Sequence, residues 1–284
     1  MGRRWIGGVF GNTVGSDTSQ ANTTGIFSMS QQYYMLQEGG WRPPALGEVQ
    51  STAAASAKAI YDSGNRTNGV YWLKHGSNAA YQAYCWIDAN SGGGYILAGK
   101  IDNGNPSAWR WSGGNWNSSS EVDPSNCQNL DNTSGLNQAW YNYTLQTGFR
   151  MGLHSSVPSV VSNYLSESKS GQVARYYFNN NGSSQNGRAN FKSWLAGAGN
   201  NFDNGFNSNY DSCQPNCNAT GFHNSTNSSN TKWGTTGNNE GDCNSNDSVI
   251  GFGGTASGCN LAAGGQATHC GSYSRFAIGY IFVQ

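Results

Sequence analysis

The stretch Ser56-Ala57-Lys58-Ala59-Ile60-Tyr61-Asp62-Ser63-Gly64-Asn65-Arg66-Thr67-Asn68-Gly69-Val70-Tyr71-Trp72-Leu73 decides how the chain is read, together with Tyr81-Gln82-Ala83-Tyr84-Cys85-Trp86-Ile87-Asp88 and Ser91-Gly92-Gly93-Gly94-Tyr95-Ile96-Leu97. Its Ala-rich beginning predicts a helix over residues 47–61, ended by Gly64. Residues 69–74 and 80–88 alternate or run apolar with β-branched and aromatic side chains, as strands do. The glycine triplet reads as a turn, and Tyr95-Ile96-Leu97-Ala98-Gly99-Lys100 as a third strand. Further along, short strands are expected at 145–151 and 173–178. The chain closes on Phe276-Ala277-Ile278-Gly279-Tyr280-Ile281-Phe282-Val283, whose composition argues a buried central strand. Between 179 and 272 little periodicity remains, so long irregular loops held by cysteine staples are expected there.

Composition narrows the function classes. Charged residues are only 11% of the 284 and the net charge is zero, so no electrostatic argument favours nucleic acid or an anionic membrane. The 10 Trp, 15 Tyr and 11 Phe supply a core, while Asn, Ser, Thr and Gly supply an uncharged polar surface. No apolar run reaches the length of a membrane span. The start, Met1-Gly2-Arg3-Arg4-Trp5-Ile6-Gly7-Gly8-Val9-Phe10, lacks the apolar stretch of a secretory signal, so synthesis in a cytoplasm is expected. Seven cysteines, Cys85, Cys127, Cys213, Cys217, Cys243, Cys259 and Cys270, leave at least one thiol free or paired between chains. Zinc is the alternative for Cys213 and Cys217, but no second close Cys or His pair completes a tetrahedral set. Four scattered histidines, with no Gly-x-Ser-x-Gly elbow and no His-Glu-x-x-His helix, give little support to catalysis.

The order of a short helix broken at Ser-Gly, a hydrophobic strand, and a Tyr-Cys strand running into a glycine triplet resembles the opening of fibrinogen-like recognition domains. That resemblance implies an α+β fold with a central antiparallel sheet, no enzyme activity, and binding of sugars or acetylated groups. It also implies a cysteine near the helix start that would pair with Cys85. Ser56-Ala57-Lys58 stands there instead, so Cys85 is expected to be a free, buried thiol. Local bridges Cys213–Cys217 and Cys259–Cys270 are the preferred pairings of the rest.

The family's calcium loop is replaced here by Asn238-Asn239-Glu240-Gly241-Asp242-Cys243-Asn244-Ser245-Asn246-Asp247. Asp242, Asn244 and Asn246 alternate as oxygen donors, with Glu240 and Asp247 beside them, a pattern suited to Ca²⁺. An EF-hand is excluded, because Asp247 occupies the position of its glycine and Gly253 that of its last glutamate. The competing reading is an Asn/Asp-rich turn closed by its own hydrogen bonds. The family's pocket maps onto Trp233, His269 and Tyr273, where an aromatic face and polar donors would suit a sugar. Trp109, Trp111 and Trp116 offer further aromatics, with core the better reading for Trp109 and Trp111.

Residues 1–46 are mostly small and polar apart from a few apolar pairs, among them Trp5, Ile6, Val9, Phe10, Ile26 and Phe27, too few to bury a core alone. Such an arm is expected to dock on its own domain or on another chain. Arg4-Trp5-Ile6-Gly7-Gly8, Ser/Thr-rich filler, Thr24-Gly25-Ile26-Phe27-Ser28-Met29 and the exit Trp41-Arg42-Pro43 look like the start of structural proteins of marine tailed phages. Phe27 and Met29 stand where Trp and Leu are usual. The two resemblances together imply a virion protein with an attachment arm over 1–46 and a recognition domain over 47–284. It would contact other virion proteins through the arm and a host-surface glycan through the domain. A homo-oligomer is expected, trimeric in many phage fibres, although no heptads demand it. A purely structural decoration, neck or tail component is the alternative. A glycosidase is a third, without the β-helical repeats usual in phage depolymerases.

Overall fold

The computed structural model describes residues 44–88, 93–102, 106–154, 156–158, 164–195, 214–217, 219–226, 228–256, 259–267 and 273–284. Trp5, Ile6, Val9, Phe10, Ile26 and Phe27 of the expected arm therefore lie outside the described residues. The strands are β1 (Gly69–Leu73), β2 (Tyr81–Asp88), β3 (Gly93–Ile101), β4 (Gly135–Leu136), β5 (Gly148–His154), β6 (Leu165–Ser168) and β7 (Gly182–Ser183). They continue as β8 (Thr220–Ser225), β9 (Ser229–Gly237), β10 (Ser248–Ala256), β11 (Cys259–Ala267), β12 (Tyr273–Phe276) and β13 (Ile278–Val283). Short helices are α1 (Ala57–Asp62), α2 (Pro106–Trp109), α3 (Ala139–Asn142), α4 (Ala174–Asn179) and α5 (Arg188–Leu195).

The helix expected over 47–61 forms only from Ala57. Ala54 is held in a parallel bridge to Leu73, its N–H donating to the Trp72 carbonyl at 2.9 Å and its own carbonyl accepting from Lys74 at 2.8 Å. A residue tied into a ladder cannot also be helical, so α1 starts after its N-cap Ser56, whose hydroxyl accepts from the Ala59 amide at 3.0 Å. Gly93 and Gly94 are strand, not turn. A Cβ on Gly94 would stand 2.1 Å from the Ala57 carbonyl oxygen, so the glycine lets α1 lie directly on β3.

The first sheet runs β1-β2-β3-β13-β5-β6, with β4 added to β3, and every pairing is antiparallel. The last strand is central and buried, as its apolar run predicts, although it begins at Ile278. One face presents Leu73, Ala83, Cys85, Ile96, Met151 and Ile281 to the main core. The other carries a smaller cluster around Trp86, Leu97, Tyr280 and Phe282. Beside it the Arg150 guanidinium pairs with Asp88 and lies 4.0 Å from the Tyr95 ring centre and 4.7 Å from that of Trp86.

Two expectations fail downstream. Residues 173–178 are not a strand: Ala174 and Phe178, four apart, are both fully buried while Tyr176 is exposed, the spacing of a helix face. Phe178 stacks on Trp116 at 5.4 Å and meets Trp140 at 5.0 Å. The expected span of stapled loops over 179–272 instead contains most of a second antiparallel sheet, ordered β12-β11-β10-β9-β8-β7. Its strands escape an apolar pattern because Gly, Thr, Ser and Asn fill them. Gly221, Gly234, Gly251 and Gly264 pair directly across β8, β9, β10 and β11, all at positive φ between 130° and 157°. A Cβ at Gly234 or Gly251 would stand 1.9 or 2.0 Å from a neighbouring strand's carbonyl oxygen. Only glycine fits this file.

The sheets share one core, with Phe222, Trp233, Ile250 and Phe252 facing residues of the first. Gly279 of β13 lies so close to Phe252 that a Cβ would come within 2.2 Å of its ring. The buried Glu167 carboxylate joins β6 to the second sheet, accepting from Ser184 Oγ, the Gln185 amide at 3.0 Å, Asn186 Nδ2 at 3.0 Å and Trp233 Nε1 at 3.1 Å.

The cysteines pair differently from expectation. Cys217 bonds Cys243, 26 residues on, with Cα atoms 5.0 Å apart, which leaves no sulfur for a Cys213–Cys217 bridge. The reason is the bridge between Asn216 and Asn238, which sets Cys217 beside the loop after β9. Cys259 is free and exposed at the start of β11, so Cys259–Cys270 does not form. Cys85 is free and buried as expected, and Cys127 is a second buried thiol. Cys213 and Cys270 lie outside the described residues.

Candidate functional site

A hollow of about 430 Å³ opens along the edge formed by β7 and β8, lined by residues 181–183 and 220–225. Gly182 pairs with Phe222 and Ser183 with Gly221, so the hollow's floor is backbone with few side chains. Apart from Phe222 and His223, its side chains are Asn, Ser and Thr, and none carries a fixed charge.

The ladder is deformed beside the hollow. Asn224 pairs with Thr231 and Phe222 with Trp233, leaving His223 opposite Lys232 at φ 44°. On the other flank of β9, Gly253 adopts φ 60°. A Cβ there would meet Lys232 Cγ at 2.6 Å and Trp116 Cε2 at 3.0 Å, so the lysine stem packs on bare backbone. Left-handed backbone at the non-glycine His223 is a cost that regular pairing would avoid. It delivers the Lys232 ammonium to a set of neutral groups.

Lys232 is 5% exposed. Its Nζ donates to Asn179 Oδ1 at 3.0 Å, lies 3.3 Å from His223 Nδ1, and sits 4.7 Å from the Trp111 ring centre. Asn179 is fixed in turn, because its Nδ2 donates to the Trp116 and Arg175 carbonyls at 2.6 and 2.8 Å. The His223 ring lies 4.3 Å from Trp111, which is half-buried, and its Nδ1 is 3.1 Å from the Phe178 carbonyl oxygen. Burial pushes the Lys232 ammonium down to about 8. Burial, then the adjacent Lys232, lowers His223, against the Phe178 carbonyl that favours its protonated form. On the other side Lys169 Nζ donates to the Ser183 carbonyl at 2.7 Å and lies 5.6 Å from the Phe222 ring centre. Such a surface offers amides, hydroxyls, an indole and two amines, groups that hydrogen-bond polyhydroxylated molecules.

The residues singled out in the sequence lie elsewhere. Trp233 is fully buried, packed on Phe191 at 4.9 Å and Phe252 at 5.4 Å with its N–H on Glu167, so it offers no face to a sugar. Tyr273 begins β12, opposite Ala267, at the sheet edge remote from β7. His269 lies outside the described residues. Trp109 and Trp116 are core, in a helix and a 3₁₀ turn rather than on a strand.

The oxygen-rich loop folds as a turn. Asp242 Oδ1 accepts the Asn244 amide at 2.7 Å, and Glu240, Asp242 and Asn244 are exposed. Asn246 is buried, its amide donating to Thr226 Oγ1 and Thr236 Oγ1 at 3.0 Å each, and Asp247 is buried beside it. The five side chains are thus divided between surface and interior, and among the described residues no group of three or more His, Cys, Asp and Glu is placed to hold a metal. The arrangement fits the Asx turn better than a Ca²⁺ cage.

Lys232, His223 and Asn179 were not singled out in the sequence. One signal exists: Lys232 is the only Lys or Arg between Lys192 and Arg275, in a stretch otherwise dominated by Gly, Asn, Ser and Thr. Among the described residues no helix is long and apolar enough to cross a membrane. A scan of protein-family models and a search of curated proteins return no match to this chain.

Proposed function

We propose that this chain is a structural protein of a tailed-phage particle that displays a fibrinogen-like, lectin-like domain, and that the β7–β8 hollow is where a host-surface glycan sits. The observation that carries the binding reading is the hollow itself: polar, uncharged in its lining, floored by backbone, with the Trp111–His223 pair beside it. Asn and Ser/Thr side chains read hydroxyl groups in either hydrogen-bond sense, and backbone without side chains lets a ring approach closely. The two antiparallel sheets with short helices are compatible with the fibrinogen-like reading. The particle reading rests on Arg4-Trp5-Ile6-Gly7-Gly8 and the segment that follows, which would anchor the domain to other virion proteins.

Glycan-array and host-cell binding by the full chain test this, with Ser183→Trp as the variant that fills the hollow. Binding of defined glycans, lost in Ser183→Trp while the melting temperature is kept, is the expected result. If the parent chain binds neither glycans nor cells, the adhesive reading falls and a purely structural role in the particle replaces it.

A further inference from the structure

The hollow's lining suits any sugar, but the charges around it do not. Lys232 is 95% buried by its 5% exposure, yet its partners are an amide oxygen, an imidazole nitrogen and an indole face. A buried ammonium without an anion is costly, and proteins ordinarily pair one with a carboxylate. Lys169, on the opposite side, has a backbone carbonyl and a phenyl ring as its partners. The carboxylate of Glu167 is buried and already accepts four hydrogen bonds. Two cations therefore flank a hollow whose lining carries no carboxylate.

We propose that the β7–β8 hollow selects an acidic sugar, binding the carboxylate of a uronic acid residue between Lys232 and Lys169 through the imidazole of His223. The proposal rests on the glycan reading above and names its ligand class. His223 is the coupling element. When Lys232 is charged, its N–H donates to Nδ1, which places the ring proton on Nε2, an atom with no partner among the described residues. That Nε2–H is then a donor for a carboxylate. When Lys232 loses its proton, Nδ1–H turns to the Phe178 carbonyl and Nε2 becomes an acceptor that repels the same carboxylate. Binding therefore follows the proton on Lys232 and weakens as pH rises through its titration, which lies near 8 in the free protein. The other titratable groups around it are His223 on β8, Lys169 beside Phe222, the sealed Glu167, and Arg175 on α4, whose carbonyl holds the Asn179 amide.

Calorimetry of the full chain with a glucuronate oligomer, its methyl ester and a neutral glucose oligomer tests the assignment. The acid is expected to bind about tenfold tighter than the ester, with the preference falling at high salt and between pH 7 and 9.5. Lys232→Met and Lys169→Gln should each bring the affinities for acid and ester together. Because Lys232→Met alters a buried position, Lys169→Gln and the pH profile of the parent protein give independent readings. Equal affinity for acid and ester overturns the proposal and leaves the glycan function standing, provided that either binds. Loss of all three, with no other glycan bound, overturns both. Acetate competing as well as the oligomer would overturn the assignment to a sugar in favour of a general anion site.

Discussion

The two sheets reach the same ladder geometry by opposite means. In the sheet from β1 to β6 with β13 at its centre, side chains do the specifying: Leu73, Ile96, Met151 and Ile281 fill one face, Trp86 and Phe282 the other. In the sheet from β7 to β12 the missing side chains do it, because Gly221, Gly234 and Gly251 bring neighbouring backbones closer than any Cβ permits, with Gly264 beside them at positive φ. One sheet is written in what its residues carry and the other in what they lack. The candidate site belongs to the second, where backbone left bare can be reached from solvent.

The strongest way to break the contrast is Gly234→Val. Its Cβ would stand 1.9 Å from the Ile250 carbonyl oxygen on backbone at φ 157°, near the extended limit, so the cost comes from the clash. A loss above about 4 kcal/mol is expected, enough to prevent folding, as read by soluble yield and denaturant unfolding. Gly114→Ala, with open space around its Cβ position, should be nearly silent in the same assay.

Acid should attack the first sheet. Burial pushes His75 and His154 down to about 4 each. His75 is held with Nδ1 on the Ala55 carbonyl at 3.0 Å and Nε2 on the Tyr81 hydroxyl at 2.6 Å, and His154 packs 5.5 Å from Tyr280. Both bases are harder to protonate folded than unfolded. Their contribution is therefore complete above the unfolded value near 6.5 and is lost as pH falls toward 4. At pH 5 each should cost on the order of 2 kcal/mol. Unfolding titrations from pH 7 to 4 check this, and His75→Gln should flatten part of the slope.

Removing the Cys217–Cys243 bridge by double Ser substitution closes no loop of 26 residues in the unfolded chain and should cost about 3 kcal/mol. The loss should fall on the second sheet, seen as faster amide exchange in β9 and β10 than in β2 and β3. Smallest is Ser56→Ala, which removes the cap of α1 for about 1 kcal/mol of stability, measured by thermal melting. A change far larger than that would mean that Ser56 supports β3 as well as the helix.

The same contrast explains what the sequence discloses. β1, β2, β3 and β13 are legible because their side chains alternate or run apolar, and periodicity is the signal a reader has. The strand expected at 145–151 starts three positions before β5 because Leu145, buried in the preceding loop, continues the apolar run. Arg175-Tyr176-Tyr177-Phe178 looks like a strand from its rings, and only the burial of Ala174 with Phe178 shows the helical spacing. The second sheet leaves no such trace, since Gly, Thr and Asn are equally the residues of loops. The site suffers from the same blindness. Trp233 draws attention as an aromatic, but strand alternation turns it into the core and sends its neighbour Lys232 to the opposite side, toward Trp111 and Asn179.

The glycine file has one more consequence, for how the strands find their alignment. A strand of polar residues can slide by one position against its neighbour with little change in burial, the situation in which mispairing is common. Here a one-residue slip of β10 against β9 would bring Ile250 or Phe252 to the place now held by Gly251, within about 2 Å of the Trp233 carbonyl oxygen. A one-residue slip of either hand therefore meets a steric bar. The glycines thus encode register by exclusion, in a sheet whose side chains could not encode it by attraction.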